Sequence, residues 1–526
     1  MENGGTKMNS LWLDEVKKQD NAKKENKFEI ISEDKNCDVC IVGAGIFGLT
    51  CAYYLSKLGY KVIVVEKDGI GEKTTGHTTA KITSQHGLFY SYLVESYGEK
   101  FAKDYFDVNE KAIENIKEII DNEKINCDFE FQNNYVYTTK KTELRAIKKE
   151  VEVLENLGFG EKCEFVTETG LPFEIEGAVC FKEQAQFHPI KYLQGLCNSI
   201  KKNNGEIYRN TVVTDVEKED DETYKIVTPN NTIKSKYVII ATHFPFVNFP
   251  GFYFAKMYQS TSYVIAIDPK KTLAKGMYIN FTNPIFSYRK VKYEGKEVLL
   301  IGGCDHKTGQ PSSYQDTYGL LEKEAKKYYP DCEVLYKWNT RDCISLDKLP
   351  YIGEYSNILP NVYVGTGFKK WGMTLSNVAA NIVVNKICEK QNKYEYLFKA
   401  SRLKPVKNID EMKNMVVQST NSLLIEKLKK SNMKFEQIKN NSGSIIEVNN
   451  EKVGIYKNEE GKIYAVKPIC THLGCLLSWN DVDKTWDCPC HGSRFSYKGE
   501  NLYDPAFKNL EFYNLEDLLQ FRPNIS

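Results

Sequence analysis

The sequence predicts an α/β dinucleotide-binding domain with an interleaved antiparallel sheet, followed by a small all-β domain. Three observations carry this reading. A strand, a glycine turn, a helix and a second strand follow one another between Asp38 and Glu66. Two further strand segments, Tyr237 to Thr242 and Val362 to Phe368, return far downstream. Two short Cys/His runs, Cys470 to Cys475 and Cys488 to Ser493, lie among short strands and Gly turns near the C-terminus.

Residues 1–36 are polar, with Lys17-Lys18 and Lys23-Lys24 amid Asp, Glu and Asn, and are expected to form a peripheral arm. They lack the apolar core of a signal peptide. Asp38 to Val42 then reads as a buried strand, followed by Gly43-Ala44-Gly45-Ile46-Phe47-Gly48. Leu49 to Leu58 has helical spacing, and Lys61 to Val65 is a second apolar strand ending at Glu66. A lone G-x-G-x-x-G is a weak signal. Strand, glycines, helix, strand and acid within about 30 residues form the dinucleotide fingerprint. Gly43, Gly45 and Gly48 let backbone approach a pyrophosphate, and the helix N-terminus offers it N–H groups and partial positive charge. Glu66 is placed to accept from ribose hydroxyls. Cys37 and Cys40 sit three apart on a strand, which points them to opposite faces, so no redox pair is expected there.

Next comes a hydroxyl-rich loop, Thr74-Thr75-Gly76-His77-Thr78-Thr79-Ala80-Lys81, suited to wrapping a diphosphate and ring. Phe101, Tyr105, Val108, Ala112, Ile116 and Ile119 have helical spacing. Tyr135 to Tyr137 and residues 261–301 read as strands. They interrupt the nucleotide domain and are expected to roof its ligand with an antiparallel sheet.

The fingerprint, the Tyr237 to Thr242 strand with His243 where Gly is usual, and Val362 to Phe368 running into Trp371-Gly372-Met373-Thr374 together carry a resemblance. With Asp347 to Gly353 upstream, they resemble the FAD-dependent amine and amino-acid oxidoreductases of the D-amino-acid oxidase and glycine oxidase superfamily, over about residues 37–395. The resemblance implies FAD as cofactor. It implies that Gly367, Met373 and Thr374 sit by the flavin, where a helix N-terminus stabilises a reduced, anionic ring. It also implies that Val213 meets the adenine. Thr75, His77 and Thr79 are expected to contact the cofactor. His77 resembles the covalent flavin ligand of dimethylglycine and sarcosine dehydrogenases; a neutral His77 hydrogen-bonding near the ring is the other reading.

In the C-terminal runs, Cys470 and His472 form Cys-x-His, and Cys488 and His491 form Cys-x-x-His. Two thiolates on one iron and two imidazoles on the other is the ligand arithmetic of a Rieske [2Fe–2S] centre, whose potential lies at roughly −150 to +300 mV. Zinc fingers put two Cys in one half and two His in the other, whereas here each half mixes them. The segment resembles the Rieske proteins of respiratory cytochrome bc complexes, in which cysteines placed as Cys475 and Cys490 form a disulfide. The same resemblance makes Ser493 a hydrogen-bond donor to the cluster and places Phe495 where those proteins carry a Tyr hydroxyl. One donor is thus missing, so a lower potential is expected. A Rieske oxygenase would need a mononuclear iron with two His and a carboxylate. The other histidines, His77, His86, His188, His243 and His306, have no close helical spacing.

The expected organisation is an arm over 1–36, an FAD-dependent oxidoreductase over 37–400 with substrate segments at about 96–180 and 250–335, a Pro405-bearing linker over 401–415, and a Rieske domain over 416–526. A net charge of +1 gives no reason to propose nucleic acid, and no 18-residue apolar run offers a membrane span. Fifteen scattered cysteines suit the cytoplasm, where a Cys475–Cys490 disulfide is an exception. The chain is expected to be an enzyme that passes hydride from a small amine or amino-acid-like substrate to FAD. Single electrons then travel through the cluster to an acceptor of unspecified identity. Electrons running from an external donor through cluster and FAD to a substrate, or a non-catalytic redox sensor or electron-transfer adaptor, are the alternatives. Only seven of 71 basic residues are Arg. Arg289 and Arg341, with Tyr288, are therefore the candidates for gripping a substrate carboxylate, with Lys81 and His306 behind them.

Overall fold

The protein is described by a computed structural model covering residues 6–23, 29–220, 222–271, 274–310, 316–402, 433, 435–448 and 451–514. The expected 401–415 linker falls outside these residues beyond Arg402.

The strand Lys35–Val42 is half-exposed at its polar start and fully buried from Val39 to Val42. A continuous apolar run of this kind marks a strand covered on both faces. It pairs in parallel with Val62–Val65 and with Thr232–Ile240. Leu359–Thr366 lies parallel beside Thr232–Ile240, antiparallel Tyr351–Ser356 closes that edge, and Glu206–Tyr208 closes the other. Helices Ile46–Lys57 and Gly372–Ile387 share one apolar core on this sheet. Gly43 makes the turn possible. Its φ is +115°, and a Cβ there would stand 2.5 Å from Ala241 O. Cys37 and Cys40 both pack against the same core, contrary to the opposite faces expected from alternation.

A nine-stranded mixed sheet forms the second layer. Its order is Glu333–Ser345, Met257–Asp268, Lys296–Lys307, Phe286–Tyr293, Met277–Asn280, Glu130–Thr138, Gly177–Gln186 and Lys81–Ile82, with Cys163–Val166 also paired to Gly177–Gln186. The helix Glu99–Asn122 buries the stripe read from the sequence, Phe101 through Ile119.

The N-terminal segment is not merely peripheral. Helix Leu11–Lys23 buries Leu11, Trp12, Leu13 and Val16 in the main core. Trp12 Nε1 donates to Thr78 O at 2.8 Å, Ser10 Oγ donates to Gly76 O, and Leu13 packs on Gly76. This helix therefore props the hydroxyl-rich loop from behind.

The C-terminal domain is two small antiparallel sheets, Ser442–Val448, Glu451–Lys457, Ile463–Val466 and then Ser478–Asn480, Thr485–Asp487, Arg494–Ser496, Asn501–Tyr503. It seats on the strands Met257–Asp268 and Glu333–Ser345, where the period-2 alternation of strands divides the labour. Ser260, Ser262, Thr340 and Asp342 line an internal cavity. The intervening Gln259, Asn339 and Arg341 contact the C-terminal domain. Buried Arg494 fixes Asp483 at 2.8 Å and Asp487 at 2.7 Å, and Asp483 in turn accepts from Asn339 Nδ2 at 2.9 Å.

Candidate active site and metal centre

A continuous cleft runs along the end of the parallel sheet. Gly43, Gly45, Glu66, Thr75, Val213 and Met373 line it, joined by Lys67, Thr74, Thr78 and His243. Gly45 caps the helix Ile46–Lys57, so that helix points its free N–H groups at the cleft. Glu66 accepts from Ala44 N–H at 2.7 Å and Asp68 N–H at 2.9 Å, while burial pushes its pKa up. His243 Nε2 is buried without a hydrogen-bond partner in the wall of this cleft. A glycine cradle, a helix N-terminus and an unpartnered donor or acceptor fit a bound dinucleotide.

Several expected contacts lie elsewhere. A Cβ on Gly48 would sit 2.1 Å from Gly43 O, so Gly48 serves close packing of helix on turn rather than the ligand. Thr79 opens on the adjoining cavity. Gly367 adopts φ +74° behind Met257, and Thr374 Oγ1 donates to Thr83 O at 2.7 Å. Of Gly367, Met373 and Thr374, Met373 lines the cleft and the adjoining cavity, and Gly365 stands in the cleft where Gly367 was expected. His77 lines neither space. Its Nδ1 is 2.8 Å from Lys73 O, and burial holds its pKa down at about 4. Thr74, Thr75 and Thr78 form the wall where His77 was expected.

The cleft meets the internal cavity at Thr74, Thr78, Asp342, Lys370 and Met373. Lys81 lines this cavity and is 6% exposed. Its Nζ donates to Tyr278 O at 2.8 Å and Ser287 Oγ at 2.7 Å. Burial, helped by the nearby Arg289 charge, pushes its pKa down to about 7. Lys370 pairs with Asp305 at 2.7 Å. Asp342 is pushed up to about 6, chiefly by burial. His86 stacks on Trp371 at 5.1 Å.

Of the expected substrate-gripping residues, Lys81 lines this cavity, whereas Arg289, Tyr288, Arg341 and His306 do not. Arg289 spends its guanidinium on Gln186 Oε1 at 2.9 Å, Ala80 O at 2.8 Å, Phe187 O at 2.7 Å and Thr79 O. Tyr288 donates to Glu324 at 2.6 Å within a separate core. Arg341 faces the C-terminal domain and stacks on Tyr503 at 3.6 Å. His306 stacks on Tyr263, with its Nε2 3.1 Å from the Tyr263 hydroxyl.

In the C-terminal domain, the loops after Val466 and after Asp487 bring Cys470, His472, Cys488 and His491 together. Both cysteines are buried with their thiols in hydrogen-bond contact, and the two imidazole centroids are 5.1 Å apart. The Nδ1 atoms of His472 and His491 are both buried and unpartnered. Burial holds the rings neutral, at about 4 and about 3. Two thiols and two free, neutral imidazole nitrogens fit a Rieske [2Fe–2S] cluster. Backbone N–H groups of His472 and Leu473 serve Cys470, and those of Cys490 and His491 serve Cys488. Cys475 and Cys490 form a disulfide joining the two loops. Ser493 hydrogen-bonds Cys470, and Phe495 is fully buried without a hydroxyl to offer.

Sequence reasoning missed what covers the histidine edge. Phe244 packs on both His472 and His491 at centroid distances of 6.5 and 6.4 Å, and Phe254 on His491 at 5.8 Å. Asn248 Oδ1 meets His472 Nε2 at 2.8 Å. These residues follow His243 of the cleft directly in the chain. No local pattern marks such a contact.

Comparison with known proteins agrees with both halves. Residues 38–386 match the FAD dependent oxidoreductase family (DAO), and residues 430–514 match the Rieske [2Fe-2S] domain. The Bacillus subtilis protein YhfW, named as a Rieske 2Fe-2S iron-sulfur protein, is 37% identical over 93% of this chain and 96% of its own length. Gamma-glutamylputrescine oxidoreductase of Escherichia coli is 22% identical over 69% of this chain and 86% of its own. Glycine oxidase from Geobacillus kaustophilus shares the fold, with a TM-score of 0.60 at 18% identity over 70% of this chain and all of that one. No helix among the described residues is long and apolar enough to cross a membrane. The chain thus belongs to the FAD dependent oxidoreductase family, an enzyme family that binds FAD, and carries a C-terminal Rieske [2Fe-2S] domain.

Proposed function

We propose that the protein dehydrogenates a small amine or amino-acid-like substrate in the cavity beside Lys81 and passes the electrons singly through the Rieske domain to an external acceptor. The observation that carries this reading is the two-faced strand pair Met257–Asp268 and Glu333–Ser345. Asp342 opens on the cavity while its neighbour Arg341 touches the cluster domain. One sheet layer, on the order of 10 Å thick, therefore separates substrate space from cluster domain. FAD held by the residues of the cleft would supply acceptance of two electrons and their release one at a time.

The chain's own residues prepare the substrate. An amine yields hydride only after its ammonium proton has left. Neutral Lys81 has two N–H groups engaged by Tyr278 O and Ser287 Oγ, and its lone pair is left to take that proton at Nζ. The Asp342 carboxylate offers the amine a counter-charge. Trp371 and His86, stacked on each other, form one wall of this cavity. The gamma-glutamylputrescine oxidoreductase relative supports an amine in this role.

The test is an anaerobic titration with amines and amino acids, following flavin absorbance and the paramagnetic signal of the reduced cluster. Bleaching of flavin followed by cluster reduction is expected. Flavin that bleaches beside a cluster that stays oxidised, despite a favourable potential, defeats the relay. The two midpoint potentials assign the direction of flow, since the same path serves a reductase running the other way.

A further inference from the structure

The peptide Asp504 to Phe507 belongs to both centres. On one side, Ala506 N–H donates to Ser493 Oγ at 3.0 Å, and Ser493 also hydrogen-bonds the cluster ligand Cys470. On the other side, Asp504, Pro505 and Phe507 line the same cleft as Gly43, Gly45 and Glu66. The segment is clamped where it crosses between them. Lys67, the residue after Glu66, pairs with Asp504 at 3.0 Å. Gln259 Nε2 donates to Asp504 O at 2.8 Å, and Lys73 Nζ to Leu502 O at 3.0 Å. Tyr503 is held under the Arg341 guanidinium at 3.6 Å.

From this shared peptide we infer that the Rieske domain completes the FAD site: Asp504, Pro505 and Phe507 form part of the wall that holds FAD, and FAD binding and docking of the cluster domain strengthen each other. Phe507 is 40% exposed at the lip of the cleft, an apolar ring that a bound dinucleotide covers. Coupling of two sites is reciprocal. Whatever factor the docked domain adds to FAD affinity, FAD adds to docking. The inference concerns cofactor binding alone and stands whichever substrate or direction of flow applies.

Phe507→Ala in the full-length protein tests it, with the cluster content measured by electron paramagnetic resonance and the FAD dissociation constant by flavin fluorescence. The constant is expected to rise about tenfold, or ~1.4 kcal/mol, roughly half of what burying a whole Phe side chain contributes. A constant changed by less than about twofold at full cluster content overturns the inference, because a ring that FAD covers loses that apolar contact on truncation. A second measurement uses the unmodified protein. Hydrogen exchange across residues 500–509 is compared with FAD bound and with FAD removed. Slower exchange there with FAD is expected, and identical exchange in the two states overturns the inference equally.

Discussion

Asn248 Oδ1 lies 2.8 Å from Nε2 of His472, so a loop of the FAD domain holds the outer nitrogen of a proposed cluster ligand. The inner nitrogen, Nδ1, is the buried and unpartnered one. With Nδ1 given to iron, the ring proton sits on Nε2 and is donated to Asn248. Such an outer acceptor makes an imidazole a stronger donor to its metal and favours the oxidised cluster. Asn248→Leu is therefore expected to raise the cluster potential, by on the order of tens of millivolts where 59 mV is a tenfold change for one electron. A redox titration followed by electron paramagnetic resonance measures it. An unchanged potential would show the contact to be packing alone, and a fall would contradict the account.

Ser493 and Phe495 are the proposed determinants of the cluster potential on the thiolate ligands. The Ser493 hydroxyl serves Cys470, while Phe495 is fully buried and has none to give. A reduced cluster carries more negative charge and gains more from each donor. Ser493→Ala is expected to lower the potential by on the order of 60 mV, one hydrogen bond to a charged group of about 1.5 kcal/mol. Phe495→Tyr is expected to move it the other way. The same titration reads both, and two shifts of one sign contradict the account.

The flavin is expected to be held without a covalent bond. His77 lines neither the cleft nor the cavity, and its Nδ1 is engaged by Lys73 O. Acid precipitation should leave all yellow colour in the supernatant. Colour retained in the pellet would place a covalent link that this geometry does not provide.

Legibility in the sequence followed the range of the interaction. Gly43 to Glu66 could be read because turn, helix start and strand end are neighbours in the chain. Cys470, His472, Cys488 and His491 could be picked out as a group because they come in two short runs. Arg289 misled because a buried Arg satisfied by carbonyls of residues 79, 80 and 187 looks, in sequence, like one awaiting a carboxylate. Arg341 misled differently. Strand alternation sends Arg341 and Asp342 to opposite faces, but only the seating of the C-terminal domain says which face holds the cavity. The roles of Asn248 and of Asp504 to Phe507 are contacts across more than 200 residues of chain, with no periodicity to announce them.

Lys81 sets the pH dependence of the proposed chemistry. Burial pushes its pKa down to about 7 from the usual 10.5. Below that value Nζ carries its proton and cannot accept another; above it the lone pair is available. The rate of flavin reduction by an amine is therefore expected to rise through about pH 7. In Lys81→Met that limb should vanish and the rate at pH 8 should fall by about 10²-fold or more, the lower range for loss of a general base. Stability supplies an independent reading. The unfolded chain keeps the Lys81 proton up to about 10.5, whereas the folded chain releases it near 7, so the unfolded state binds more protons between these values. This group's contribution to stability accordingly rises with pH across that window, and its full cost is felt below 7. Lys81→Met should thus gain more stability, relative to the unmodified protein, at pH 6 than at pH 10. Denaturant unfolding at the two pH values measures the difference. A Lys81→Met enzyme that keeps the limb near pH 7 would assign the proton to another group of the cavity, Asp342 foremost, whose own pKa lies at about 6.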